Sequence, residues 1–330
     1  MYSESYQGIN ELLVSLSRIL LKEGRPRITR GKKCYELPAP ILIKLDNPSS
    51  RIITLPERKW PVHMGYAESL WLSTGRNDVD FMSAYLPRMR EFSDDGKFVR
   101  AGYGPRIKTY NSSEKDYERN TAVQNNDTHV GIDQLKYVVD CLLHEKTSRR
   151  AVIELGDPIK DNYVNSKLKE TKDYPCTRSL QFIVNNDNRL DLYVHMRSND
   201  FIWGMTGVNI FNYTFMQEYV SQILGVPLGS YYHIANNLHF YEEYKDKLTR
   251  ISESSYSDEF FEYNSDISSY DDFESKIRCL CNWESKIRTG QNIGLIDLES
   301  DFMNDWQRVI YDYLTGSRSR YINNILNRVR

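Results

Sequence analysis

Cysteine is scarce in this chain, and what there is shows no pairing pattern. Cys34, Cys141, Cys176, Cys279 and Cys281 are an odd number in 330 residues and follow no regular spacing. That argues against a disulfide framework and fits reduced thiols in a cytoplasmic protein. No histidine follows the close pair Cys279-Leu280-Cys281, which argues against zinc. An excess of charge is also missing. The net charge is -2, so no broad field draws the chain to nucleic acid or to a membrane surface. An anionic ligand must therefore be met by local arginines. Long apolar runs are absent too: Leu12 to Leu21 is broken by polar residues and too short to span a bilayer. The start, Met1-Tyr2-Ser3-Glu4, has no basic segment leading into an apolar one, so no secretory signal is expected. What is present is ample material for a core, with hydrophobic residues at 40% and aromatics at 12%.

Helical spacing is clear in Ile9, Leu12, Leu13, Leu16, Ile19 and Leu20, with Gly24 placed to end that helix. Tyr66 to Ser73 and Val79 to Phe92 read as helices, the second interrupted by Pro87. Another amphipathic stripe, Ile132 to Leu142, leads through Ser148-Arg149-Arg150 into a strand at Ala151 to Leu155. Ile41 to Leu45, Ser179 to Val184, Leu190 to Met196 and Tyr231 to Phe240 read as extended. Gly156 to Tyr174 is polar and reads as a mobile surface loop. Asn209 to Leu224 reads as a buried helix, and helical patterning returns near Phe273 and from Leu298 to Leu314. Between Ile251 and Ser275 there are eight acidic residues and no lysine or arginine, as expected of an excursion or partly ordered loop. Strands and helices mix without strict alternation, so the expected class is α+β. The expected organisation is a catalytic domain over residues 1–250, with an acidic loop and helical extension over 251–330 packed on it.

The densest chemistry lies between Pro175 and Tyr241. Pro175-Cys176 precedes a strand with Gln181-Phe182, and a second strand delivers Arg197-Ser198-Asn199-Asp200. Leu238-His239-Phe240-Tyr241 follows about forty residues later. In this order and spacing the chain resembles the thymidylate synthase family. The resemblance covers roughly residues 20 to 245 and implies a mixed sheet with packed helices. It also implies a homodimer with shared active sites, and a pyrimidine nucleoside monophosphate and 5,10-methylenetetrahydrofolate as substrates.

By that resemblance Cys176 attacks carbon 6 of the pyrimidine, with Arg197 favouring its thiolate. Arg197 and Ser198 bind the phosphate, and Arg149 and Arg150 reach the phosphate of the partner's nucleotide. Arg30 is the fourth phosphate arginine, with Arg25 and Arg27 as alternatives. Glu68, in Glu68-Ser69-Leu70-Trp71, works through water on the 4-position of the base. Tyr103, in Gly102-Tyr103-Gly104, helps to remove the carbon 5 proton. Asn209 reads the base edge, although one extra residue after Gly204 leaves Val208 as a competitor. His239 and Tyr241 hold the sugar. Asp200, counted also among the catalytic groups, meets the pterin beside Trp203 and Gly204.

Three features depart from the family pattern. No tryptophan stands between Trp71 and Trp203, and Ile107 occupies the slot after Tyr103 where one is usual. Thr177 follows the cysteine in place of histidine, and Leu326 to Arg330 is not the apolar tail of the family. A site with less water exclusion lets water, rather than hydride, capture the transferred carbon. The pattern then resembles the nucleotide hydroxymethylases, with uracil favoured by Asn209. Thymidylate synthase, a cytidylate hydroxymethylase, and a silent relative that binds nucleotide or RNA are the alternatives.

Overall fold

Residues 1–111, 115–117 and 131–329 are described by a computed structural model. Its strands are, in chain order, β1 (Tyr2–Tyr6), β2 (Arg25–Thr29), β3 (Lys32–Glu36), β4 (Ile41–Leu45), β5 (Val152–Glu154), β6 (Tyr163–Val164), β7 (Lys167–Leu168), β8 (Thr177–Val184), β9 (Leu190–Met196), β10 (Asn199–Asp200), β11 (Leu228–Ala235) and β12 (Leu238–Tyr241). The helices are α1 (Ile9–Glu23), α2 (Val62–Ser73), α3 (Val79–Met82), α4 (Tyr103–Lys108), α5 (Gln134–His144), α6 (Pro158–Asp161), α7 (Ile210–Leu224), α8 (Lys245–Glu253), α9 (Tyr270–Arg288) and α10 (Asp301–Thr315).

Alternating apolar residues make β8 and β9 half-buried partners, paired antiparallel about a turn in which Asn188 takes a φ of 59°. β11 then lies parallel to β9 and antiparallel to β4, giving a six-stranded mixed sheet in the order β1-β4-β11-β9-β8-β5. The crossover between β9 and β11 is α7, whose residues from Ile210 to Ile223 are all buried. A helix buried on every side belongs in a core, and its polar residues must find partners there: Gln217 ties it to the sheet by donating to the Leu190 carbonyl at 2.8 Å. On the other face of the sheet Leu42, Ile183, Tyr193, Tyr232 and Ile234 are half-buried. The Tyr193 and Tyr232 rings stack there with centroids 4.4 Å apart.

A four-stranded sheet, β10-β12-β3-β2, lies beyond the ends of β9 and β11. Its β2–β3 turn consists of Arg30 and Gly31, with φ of 49° and 74°. Two successive left-handed residues match the twist of a tight hairpin, and glycine takes the second without strain.

Several expectations differ from the fold observed. The acidic stretch after α8 is laid against the body: Asp258 accepts from the Asn10 amide at 2.8 Å and the Glu11 amide at 3.1 Å, capping the N-terminus of α1. Gly156 to Tyr174 is pinned as well, because Asp161 is buried and forms a two-bonded pair with Arg106 at 2.7 and 3.0 Å. Val79 to Phe92 is one short helix and a 3-10 turn rather than a single interrupted helix. Past residue 250, α9 and α10 close over α2 and α7. Trp306 donates to the Tyr66 carbonyl at 2.8 Å, and Tyr219 stacks on Phe273 at 4.3 Å. Among the described residues no helix is long and apolar enough to cross a membrane, and no cluster of His, Cys, Asp and Glu is arranged to hold a metal ion.

Candidate active site

The β8–β9 register pairs Thr177 with Met196, and one step beyond it the Arg197 amide donates to the Cys176 carbonyl at 2.9 Å. The cysteine and the arginine are thus neighbours across a strand pair, though 21 positions apart. Arg197 is anchored by Nε on the Pro175 carbonyl (2.9 Å) and by Nη2 on the Tyr174 carbonyl (3.2 Å). The same Nη2 lies 3.6 Å from Cys176 Sγ. Burial pushes the Cys176 thiol up; the Arg197 charge opposes this, Asp173 adds to it, and Arg30 opposes it more weakly. Arg197 therefore acts in the expected direction, but burial outweighs it and the thiol is held protonated.

Tyr103 opens α4 and closes the other side. Its hydroxyl oxygen accepts from the amides of Cys176 (3.1 Å) and Thr177 (2.9 Å). Burial pushes the phenol above its ordinary range, so the hydroxyl keeps its proton. Ile107, one turn further along α4, is fully buried.

Glu68 reaches the site from α2, where burial raises its carboxyl to about 7 against the opposing hydrogen bond of Asn212. Asn212 also accepts from Ser69 Oγ at 2.9 Å, and Tyr213 meets Thr177 Oγ1 at 2.6 Å. Asn209 is the N-cap of α7, three and four positions before Asn212 and Tyr213, so the three lie toward one side of that helix. Asn212 and Asp173 were not singled out in the sequence. Asp173 accepts from the Ala101 amide at 2.9 Å, is raised by burial to about 6, and contributes charge felt by Cys176, Glu68 and Tyr103. Its position three residues before the cysteine was the available signal, hidden in a stretch read as loop.

The extra residue before Asn209 has a structural account. Phe201 to Asn209 forms a π-helix, whose wider turn absorbs one residue and returns the chain to register at α7. Wide turns weaken the backbone ladder, and side chains make up for it here. Buried Arg58 donates to the Ile202 carbonyl at 2.6 Å, Trp60 to the Gly207 carbonyl at 2.7 Å, and Thr206 to the Phe201 carbonyl at 2.6 Å. Asn209 is buried and accepts from Asn199 Nδ2 at 2.9 Å, whereas Val208 packs on the core. Asp200 caps the π-helix by accepting from the Trp203 amide. Its second oxygen, Oδ2, is buried with no hydrogen-bond partner among the described residues, and burial raises the carboxyl to about 6. Trp203 is 40% exposed, with Arg88 over its ring at 5.1 Å.

His239 and Tyr241 alternate on β12 and so share a face, their rings edge to face at 5.4 Å. Asp200 lies opposite His239 in the β10–β12 pair. Ser198 Oγ and His239 Nδ1 both meet Asn237 Oδ1, at 3.3 and 2.9 Å. Arg30, exposed on its hairpin turn, is near enough for its charge to act on Cys176 and Tyr241. Arg27 pairs instead with Glu36 at 3.2 Å. Arg149 and Arg150 stand exposed before β5, and neither forms a hydrogen bond or ion pair with Cys176, Arg197 or Ser198.

The thymidylate synthase family model matches residues 13–286. The chain belongs to the thymidylate synthase family. The match runs past residue 245 into α9, in keeping with the packing of that helix on α7. Among curated relatives, the deoxyuridylate hydroxymethyltransferase of Bacillus phage SP01 is 36% identical over 250 residues, covering 76% of this chain and 61% of the relative. That of Pseudomonas phage M6 is 31% identical, covering 75% and 62%. A thymidylate synthase of Bacillus licheniformis is 31% identical over 143 residues, 43% of this chain and 48% of the relative. The chain thus spans about three fifths of the length of the hydroxymethyltransferases it matches.

Proposed function

We propose that this family member hydroxymethylates carbon 5 of deoxyuridylate, using 5,10-methylenetetrahydrofolate. The observation that carries the reading is Cys176 itself, its thiol 3.6 Å from the Arg197 guanidinium and its backbone amide held at 3.1 Å by the Tyr103 hydroxyl. Arg197, Ser198 and Arg30 take the nucleotide phosphate, and its charge is answered by guanidinium forks. His239 and Tyr241 take the sugar, and Asn209 takes the base edge. With the nucleotide seated, Cys176 gives up its proton and its sulfur adds to carbon 6. Glu68, neutral below about pH 7, holds or releases a proton at the 4-position oxygen as charge develops there. Tyr103 takes part in removal of the carbon 5 proton.

Asp200 Oδ2, buried and without a hydrogen-bond partner among the described residues, suits a ring N–H of a reduced folate, with Trp203 and Gly204 alongside. When bound, the folate supplies one carbon at the oxidation level of formaldehyde. Two things favour water over hydride in completing the product. No tryptophan lies between Trp71 and Trp203, and the more extensive likenesses among the relatives reported above are to deoxyuridylate hydroxymethyltransferases.

A homodimer with shared sites belongs to the same proposal. The outer face of the six-stranded sheet, with Leu42, Ile183, Ile234 and the stacked Tyr193–Tyr232 pair, suits a two-fold interface. Arg149 and Arg150 of the partner subunit would then complete the phosphate site. The test is product mass and folate state after incubation with deoxyuridylate and methylenetetrahydrofolate. A hydroxymethyl product with tetrahydrofolate is expected. A methyl product with dihydrofolate would instead mean a thymidylate synthase.

A further inference from the structure

Asn209 is the last member of a buried chain of hydrogen bonds. The Tyr231 hydroxyl lies 2.8 Å from His233 Nδ1, and His233 Nε2 lies 2.8 Å from Asn199 Oδ1. Asn199 Nδ2 donates to Asn209 Oδ1 at 2.9 Å. Tyr231 and His233 alternate on the core face of β11, and Asn199 follows directly on Arg197-Ser198. All four side chains are buried. Gly204 makes the last bond possible: a Cβ there would come within 2.7 Å of Asn199 Nδ2 and 3.0 Å of Asn209 Oδ1.

A chain of one neutral imidazole and two amides has two self-consistent directions, because each member can be turned over. In the first, Tyr231 donates to Nδ1, Nε2–H donates to Asn199, and Asn199 donates to Asn209. The amino group of Asn209 is then left for a ligand. In the second every bond reverses, and Asn209 offers its carbonyl oxygen. The Tyr231 hydroxyl decides between them. It has no hydrogen-bond partner but His233 among the described residues, so the second direction would leave its proton buried without an acceptor. Burial also lowers His233 to about 3, keeping the ring neutral with one donor and one acceptor.

We infer that Tyr231, His233 and Asn199 are positioning residues that lock Asn209 with its amino group toward the base and so make the site prefer uracil to cytosine. The inference rests on the proposed reading that Asn209 faces the base. The locked amino group meets the 4-position oxygen of uracil, and the second lone pair of Oδ1 meets the ring N–H. On cytosine two amino groups would face each other, and two acceptors beside them.

The test uses the whole protein with nucleotide alone. Calorimetry on the wild type is expected to give tighter binding of deoxyuridylate than deoxycytidylate by about tenfold or more, the size of one mispaired buried group. Tyr231→Phe removes the proton that orients the chain, opens both directions, and should bring the ratio down toward unity, mainly by strengthening deoxycytidylate binding. A purely structural role would weaken both nucleotides together and leave the ratio standing, which would overturn the inference. Nitrogen-15 NMR of the wild type supplies a second reading that does not depend on the variant folding. Protonated Nε2 and bare Nδ1 on His233 support the lock, and the opposite tautomer overturns it. A wild type that binds neither nucleotide would sink the proposed function and the lock with it, whereas normal binding with an unchanged ratio sinks the lock alone.

Discussion

Replacing Glu68 by glutamine separates what this carboxyl costs the fold from what it does for the reaction. In the unfolded chain the group titrates near 4.5, and in the folded protein burial raises it to about 7. Below pH 4.5 both states hold the proton, so the group has no net effect on stability. Between 4.5 and 7 the folded state keeps the proton that the unfolded state has lost, and stability falls as pH rises. Above 7 the penalty is complete. A shift of that size is equivalent to about 3 kcal/mol, and partial exposure of Glu68 reduces it to about 2–3. Glutamine has no proton to lose, so Glu68→Gln should gain about 2–3 kcal/mol over wild type at pH 8 and under about 1 at pH 5. Urea unfolding followed by circular dichroism at the two pH values measures this. Turnover should meanwhile drop by about 10²–10⁴-fold, because glutamine can hold Asn212 but cannot exchange a proton. An equal stability change at both pH values would mean that Glu68 is ionised in the folded protein at neutral pH, and the acid role would fall.

Cys176→Ala should abolish release of tritium from carbon 5 while nucleotide affinity stays close to wild type, because the phosphate and sugar groups lie on other side chains; release near the wild-type rate would remove Cys176 as the nucleophile. Mixing inactive Cys176→Ala subunits with inactive Arg149→Ala/Arg150→Ala subunits should restore part of the activity, since one of the two sites in a mixed dimer is intact. No recovery despite proven subunit exchange would count against shared sites. Asp258→Ala removes the cap from two amides at the start of α1 and should cost about 1 kcal/mol, read as a lower melting temperature. An unchanged melting temperature would show that water replaces the carboxylate without loss.

The arrangement of residues between Pro175 and Tyr241 was legible because it is carried by short local patterns. Two alternating strands with a turn at Asn186-Asp187-Asn188 pair in only one useful register, and that register brings Cys176 beside Arg197. His239 and Tyr241 share a face for the same period-two reason. The extra residue before Asn209 was legible as an anomaly but not as a π-helix, since that turn depends on Arg58 and Trp60 arriving from far away in the sequence.

Composition and period by themselves determined an α+β class, and motif order determined the family. Tertiary structure decided which polar groups are cut off from water. That is why Glu68, Asp173 and Asp200 all titrate high, and why Cys176 is held as a thiol despite its arginine. Tertiary structure also joined Tyr231, His233, Asn199 and Asn209 into one oriented chain. A hydrogen bond between segments separated by many residues depends on strand register and burial together, and neither is written in the spacing of the residues that form it.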